Sequence, residues 1–484
     1  MAQRNLRLVV GLALVASLGG FLFGYDTAVI SGAVSSIDFN FITPQHLSES
    51  AASSLSGWAV SCALFGCVLG AAVAGPLSTA IGRKGGLLVS AVMFFIGSVG
   101  SAIPELGLGP IGTVGPWALT PFIIYRIIGG IGVGVASMLS PLYIAEIAPP
   151  HMRGRLVVFQ QIAIVTGITI VYFVNWAIAL QGNDHWVLVT GWRWMLASEA
   201  LPALLFFLLL LGAPDSPRWF VMRNRDDDAI KLLLRLSHED EAHETLAGIR
   251  ATLIEKTRPL MSYGGKVLFV GILLSVFQQF VGINAVLYYA PLMFKNLGAS
   301  TDSSFLQTII VGVAMTAFTL VALATVDHWG RKPLLVTGGL IMAGSMTLLG
   351  FLFNYHAVGL WALLTVVIYI AGFSLSWGPV VWVLLAEIFP NSIKAKAMAI
   401  AVAAQWIANL FVSWSFKVLD GNSALNNAFN HGFAYWLYGG MSLLSALFVL
   451  RYVPETKRHA LEAIEHLWAP EPEAEEAKPQ SIIA

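Results

Sequence analysis

The chain has 484 residues, 57% of them hydrophobic and only 11% charged, with a mean hydropathy of +0.75. A soluble domain carries about 25% charged residues, so this composition excludes an ordinary globular protein. The 27 cations and 27 anions cancel, leaving no basic excess to attract nucleic acid.

Runs of roughly 20 apolar residues can cross a bilayer as helices. Twelve are predicted in chain order, over 8–32, 55–80, 86–104, 120–146, 156–180, 193–212, 266–294, 305–326, 334–354, 359–387, 396–418 and 432–453. The first follows a short basic start (Arg4, Arg7), is too long for a signal-peptide core, and is expected to stay in the mature protein. Cys62 and Cys67 lie five apart in the second run, which suits neither a disulfide nor a metal site, so packing is their expected role. The long polar stretch from Asp215 to about Ser262 separates six runs from six. Its interleaved charges, as in Ala229-Ile230-Lys231-Leu232-Leu233-Leu234-Arg235-Leu236, predict short amphipathic surface helices. The tail after Trp468, rich in Pro, Glu and Ala, is expected to be disordered.

These runs make an all-α membrane protein with both termini on one side. The expected division is 1–212, a first six-helix half; 213–264, a linker; 265–455, a second half; and 456–484, a tail. With the termini inside, only Arg126, Arg193, Lys295 and Lys417 among the 27 Lys and Arg fall outside the cytoplasmic segments. That asymmetry predicts both termini in the cytoplasm.

The halves echo one another. Gly82-Arg83-Lys84 recurs as Gly330-Arg331-Lys332, 248 residues on, and Ala145-Glu146-Ile147 as Ala386-Glu387-Ile388, 241 on. Pro214-Asp215-Ser216-Pro217-Arg218 is echoed by Pro454-Glu455-Thr456-Lys457-Arg458, 240 on. Three echoes in one order imply a duplicated unit, the architecture of carriers that rock one half against the other around a central site. The fall in offset puts about seven extra residues in the external loop near Pro104 to Trp117. Acidic Glu146 and Glu387 end spans, and basic residues such as Arg153 and Lys394 follow. With Arg83 and Arg331 they are expected to pair across the cytoplasmic entrance and gate it.

Several motifs are more specific: Gly191-Trp192-Arg193-Trp194, Pro214-Asp215-Ser216-Pro217-Arg218-Trp219, Gln278-Gln279-Phe280-Val281-Gly282-Ile283-Asn284 and Pro454-Glu455-Thr456-Lys457. In this order they resemble the sugar porter family of the major facilitator superfamily, over nearly the whole chain. The likeness is nearest to bacterial D-xylose–proton symporters, in runs such as Leu22-Phe23-Gly24-Tyr25-Asp26 and Ala403-Ala404-Gln405-Trp406. The resemblance implies the major facilitator fold.

A sugar needs neutral hydrogen-bonding groups and aromatic faces. Gln278, Gln279 and Asn284 on the seventh span fit that need, and Tyr288 is expected to continue their helical face. Trp382 follows a predicted bend at Gly378-Pro379, Gln405 and Trp406 lie on the eleventh span, and Gln161 lies on the fifth. By resemblance, Gln161, Gln278, Gln279, Asn284, Trp382, Gln405 and Trp406 match the family's sugar contacts. Where xylose symporters carry a second Gln in the fifth span this chain has Ile168, and where the family usually has Asn in the eighth it has Met315. Both changes make the pocket more apolar, so glucose competes with xylose as the expected substrate.

Asp26 in the first span, Arg126 in the fourth and Glu199 in the sixth are intramembrane charges, which are functional candidates by default. The resembling facilitators have a neutral amide at the Asp26 position. The expected function is therefore proton-coupled import of D-xylose or a related aldose by alternating access. A glucose-selective or uncoupled sugar facilitator is the alternative, and a non-transporting sugar sensor the distant one. Neither an enzyme nor a cofactor or metal is expected. The expected partners are a monosaccharide, protons and the lipid bilayer of a bacterial inner membrane, with the protein working as a monomer.

Overall fold

The computed structural model describes residues 2–149, 152–254, 259–356, 359–390 and 393–456. The expected disordered tail lies outside the described residues. Among them, every regular element is helical.

Eleven helices are long and apolar enough to cross a membrane: Leu6–Gly32, Glu49–Ala102, Pro116–Ile147, Arg153–Ala179, Asp184–Leu211, Gly265–Asn296, Thr301–Val326, Arg331–Asn354, Leu360–Ile388, Lys396–Asp420 and Phe433–Tyr452. The second holds 54 residues, far beyond one membrane thickness, and breaks at Gly82 (φ 88°, ψ 168°) into the predicted second and third spans. Twelve spans result. Between the sixth and seventh run three short helices, Pro217–Met222, Asp226–Leu236 and Glu239–Ile254. They bury Ala229, Leu232, Leu233 and Leu236, the apolar side of the interleaved sequence.

The Gly82 turn shows why the echoed motifs are echoed. Its φ is open to glycine, and a Cβ there would collide with the carboxylate of Asp215. Asp215 accepts from the backbone amide of Arg83 at 2.9 Å, capping the first turn of the third span, where exposed N–H groups favour an anion. Burial raises the carboxyl pKa of Asp215, opposed by those amide hydrogen bonds. The side chain of Arg83 grips Glu146 at the end of the fourth span with two bonds of 2.8 and 2.9 Å. The second half repeats the unit. Gly330 has φ 91° and ψ 158°, Glu455 accepts from the amides of Arg331 and Lys332 at 3.1 and 3.0 Å, and Arg331 bonds Glu387 at 3.0 Å.

These pairs correct one expectation. Arg83–Glu146 and Arg331–Glu387 each close within a half instead of reaching across the entrance, because each Arg leaves the turn directly beneath its own half's acidic span end. Lys394 is half-buried near Glu387, and Arg153 is exposed at the start of the fifth span.

At the opposite end of the bundle the halves meet directly. Trp414 donates its indole N–H to the carbonyl of Ser54 at 3.2 Å, and Lys417 pairs with Asp38 at 2.8 Å. Near mid-depth Thr169 and Thr316 share a hydrogen bond of 2.8 Å between the fifth and eighth spans. The longer loop between the third and fourth spans is pinned: fully buried Glu105 pairs with Arg193 at 2.8 Å and accepts from the amide of Gly112 at 2.7 Å.

Candidate functional site

The seventh span is two helices, Gly265–Phe280 and Ile283–Asn296, joined at left-handed Gly282 (φ 92°, ψ 14°). The ring of Tyr438 packs where a Cβ of residue 282 would stand. This break overturns the single continuous face expected from Gln278 to Tyr288. It still lets Asn284 turn back, and its Nδ2 donates to Oε1 of Gln279 at 2.6 Å.

From there the amides form a chain. Gln405 of the eleventh span donates to Oε1 of Gln278 at 2.6 Å, and Gln279 approaches the same oxygen at 3.5 Å. The Nε2 of Gln278 donates to the carbonyls of Trp377 and Gly378 at 2.8 and 3.2 Å. Those carbonyls belong to the tenth span, which runs through a π-helical turn over Phe373–Trp377 before Gly378. Wider winding leaves carbonyls without regular helical partners, a feature that recurs at functional sites. The bend expected near Gly378 is present, but its role in orienting Gln278 was not legible, since backbone acceptors leave no trace in side-chain identity.

The amides are nearly dry: Gln278, Gln279 and Gln405 are all buried. Oε1 of Gln405 has no partner among the described residues. A buried acceptor left open in this way costs about 1–3 kcal/mol, so it is poised for a donor such as a hydroxyl.

Aromatic surface comes from both halves. Trp406 is buried and lies 5.5 Å from the ring of Phe23 in the first span, whereas Trp382 is half-buried. Gln161 is half-buried on the fifth span and joins none of the described hydrogen bonds of the amide chain. Ile168 and Met315 are both buried, so the more apolar lining expected of them is part of the packed interior.

The charged group sits beside this cluster. Nη1 of Arg126 donates to Oδ1 of Asp26 at 2.7 Å, with both side chains buried. Glu199 is buried close to the pair, and its Oε1 has no hydrogen-bond partner among the described residues. A narrow cavity of about 10 Å³, room for roughly one water, is lined by Asp26, Arg126, Tyr288 and Trp406. Tyr288, expected among the sugar contacts, thus faces the charged group, with Asn409 beside it. Asn409 was missed because a lone buried Asn carries no motif.

A family model described as "Sugar (and other) transporter" matches residues 12–468. This chain belongs to that transporter family. It is 52% identical to the D-xylose-proton symporter of Escherichia coli (strain K12), with 97% of each chain covered. It is 48% identical to the glucose facilitated diffusion protein of Zymomonas mobilis, over 95% of this chain and 98% of that one. The inward-open structure of the xylose transporter from E. coli superposes with a TM-score of 0.86 at 50% identity, covering 95% of this chain and all of that one. The fold is therefore that of a major facilitator transporter, an integral membrane protein with bacterial relatives.

Proposed function

We propose that this protein is a proton-coupled symporter that imports D-xylose or a related aldose by alternating access. The observation that carries the reading is the Asp26–Arg126 pair on a cavity shared with Tyr288 and Trp406, with the buried carboxyl of Glu199 close by. Two carboxyls and one guanidinium in a dry interior are neutral only when one proton is held between the acids. An unpaired buried charge is costly, so taking up that proton and rearranging the Arg126 contact are linked. Asp26 and Glu199 are the groups that hold the proton, and Arg126 is the partner that releases Asp26 in part of the cycle.

The amide chain of Gln278, Gln279, Asn284 and Gln405, with Gln161, Trp382 and Trp406, binds the sugar. Gly378 presents a backbone carbonyl, and Ile168 and Tyr288 shape the walls. Most amides lie in the second half and the acids in the first, so residues 265–455 grip the sugar and 1–212 carry the proton. Residues 213–264 link the halves, and 456–484 form a tail. The Arg83–Glu146 and Arg331–Glu387 units, with Arg153 and Lys394, brace the cytoplasmic end. Both termini lie in the cytoplasm, and one chain in a bacterial inner membrane suffices.

A glucose-selective or uncoupled carrier is a second reading, favoured by buried Ile168 and Met315 in place of amides. Uptake into proteoliposomes with and without an imposed proton gradient, using xylose, glucose, galactose and arabinose in parallel, separates the two. Symport predicts gradient-driven accumulation of an aldose. Equilibration that ignores the gradient supports the facilitator, and binding without uptake a sensor.

A further inference from the structure

We propose that Asp38 and Lys417 form an ionic latch that holds the two halves together at the outer face, setting how often the outer entrance opens. Lys417 is one of four cations outside the cytoplasmic segments, and the function described above leaves it unused. It sits in the last turn of the eleventh span. Its Nζ lies 2.8 Å from Oδ2 of Asp38, in the short helical segment that follows the first span. The pair joins residues 379 apart in sequence, one from each half.

The pair is built into its place. Ser56 donates to the second oxygen, Oδ1 of Asp38, at 2.5 Å, so the carboxylate is aimed from the second span. Lys417 keeps only 11% of its side chain exposed. Around the pair the second and eleventh spans are in close contact: a Cβ at Gly57 would lie 2.7 Å from the carbonyl of Trp414, and one at Gly421 would collide with Ser53. Trp414 bonds Ser54, and the amide of Ser423 donates to Glu49. Separating the halves at this end breaks the Asp38–Lys417, Ser54–Trp414 and Glu49–Ser423 contacts, while the Ser56–Asp38 bond lies within the first half. The Asp38–Lys417 pair is the one among them that exposes two opposite full charges. By contrast, the ion pairs described at the Gly-Arg-Lys end close within a half. The latch therefore acts on the equilibrium between outward-open and inward-open states, not on the sugar or proton sites.

The inference rests on the alternating-access reading, and its test needs neither sugar nor protons. Ser53→Cys places a thiol at the seam, against Gly421, in cells expressing the full chain. Its rate of labelling by a membrane-impermeant maleimide reads outer opening. Asp38→Asn and Lys417→Gln are each expected to raise that rate by roughly two- to fivefold, the scale of a partly exposed ion pair. The double exchange Asp38→Lys with Lys417→Asp is expected to bring it back toward the parent. Unchanged labelling in both single variants overturns the latch. So does an exchange variant as open as the singles while it keeps the parent's melting temperature in detergent, since the seam is then held by packing alone.

Discussion

Arg126 reaches from the fourth span to Asp26 in the first, 2.7 Å away, inside a protein interior that holds a second carboxyl, Glu199, beside them. The fourth span can carry this cation because it is glycine-rich. Gly130 lies against the backbone of Ala63 and Gly134 against that of Cys67, so the second and fourth spans close tightly beside the pair. Charge and packing are thus one arrangement at this point of the bundle.

The amide chain is expected to lose affinity in a graded way. Gln278 bonds two backbone carbonyls and accepts from Gln405, so Gln278→Ala leaves several buried groups open, whereas Gln405→Ala removes one donor. At about 1–2 kcal/mol per lost buried bond, sugar binding should weaken roughly 10-fold for Gln405→Ala and further for Gln278→Ala. Titration calorimetry in detergent checks the order of the two.

The turn glycines should be far less tolerant than their neighbours. Gly82→Ala forces a side chain into positive φ and against Asp215, at a cost of about 1–3 kcal/mol. Gly75 faces open space in the same long helix, and Gly75→Ala should be neutral or slightly stabilising. Thermal unfolding of both variants in one detergent gives the comparison.

Removing Arg83 should cost more than removing Arg331. Glu146 is 8% exposed and would be left as a buried, unpaired charge, a loss of about 3–5 kcal/mol. Glu387 is 23% exposed and keeps a hydrogen bond from Thr456, so Arg331→Ala should lose less. Melting temperatures of the two alanine variants decide this.

The loop between the eleventh and twelfth spans should loosen as pH rises. His431 bonds Asp420 at 2.8 Å, and that bond raises the imidazole pKa above its ordinary 6.5, against burial and the repulsion of Lys417. A raised cationic pKa contributes stability that is fully present below about pH 6.5 and lost as pH climbs through the folded value. Hydrogen exchange over 421–432, corrected for its intrinsic pH dependence, should show less protection at pH 8.5 than at pH 6. His431→Gln should flatten the difference.

The sequence carried the helices well because a bilayer demands long apolar runs, and even the 54-residue helix gave up its break through Gly82 before Arg83-Lys84. The repeated motifs were visible as strings, but their meaning was three-dimensional. Asp215 and Glu455 lie 132 and 124 residues from the amides they cap, so no spacing rule could join them. Separations of 63 and 56 residues likewise hid the partners of Arg83 and Arg331, and charge alone suggested pairing across the entrance. Gln278, Gln279, Asn284 and Gln405 stood out because amides are rare in apolar helices. The π-turn at Phe373–Trp377 left no such mark, since its effect lies in backbone geometry.

The most direct measurement replaces Asp26 with Asn and follows radiolabelled sugar in proteoliposomes in two modes. Sugar exchange at equal pH should persist, because the amide chain is untouched, while accumulation under an imposed proton gradient should vanish. An Asn variant that still concentrates sugar under the gradient would contradict Asp26 as the coupling group.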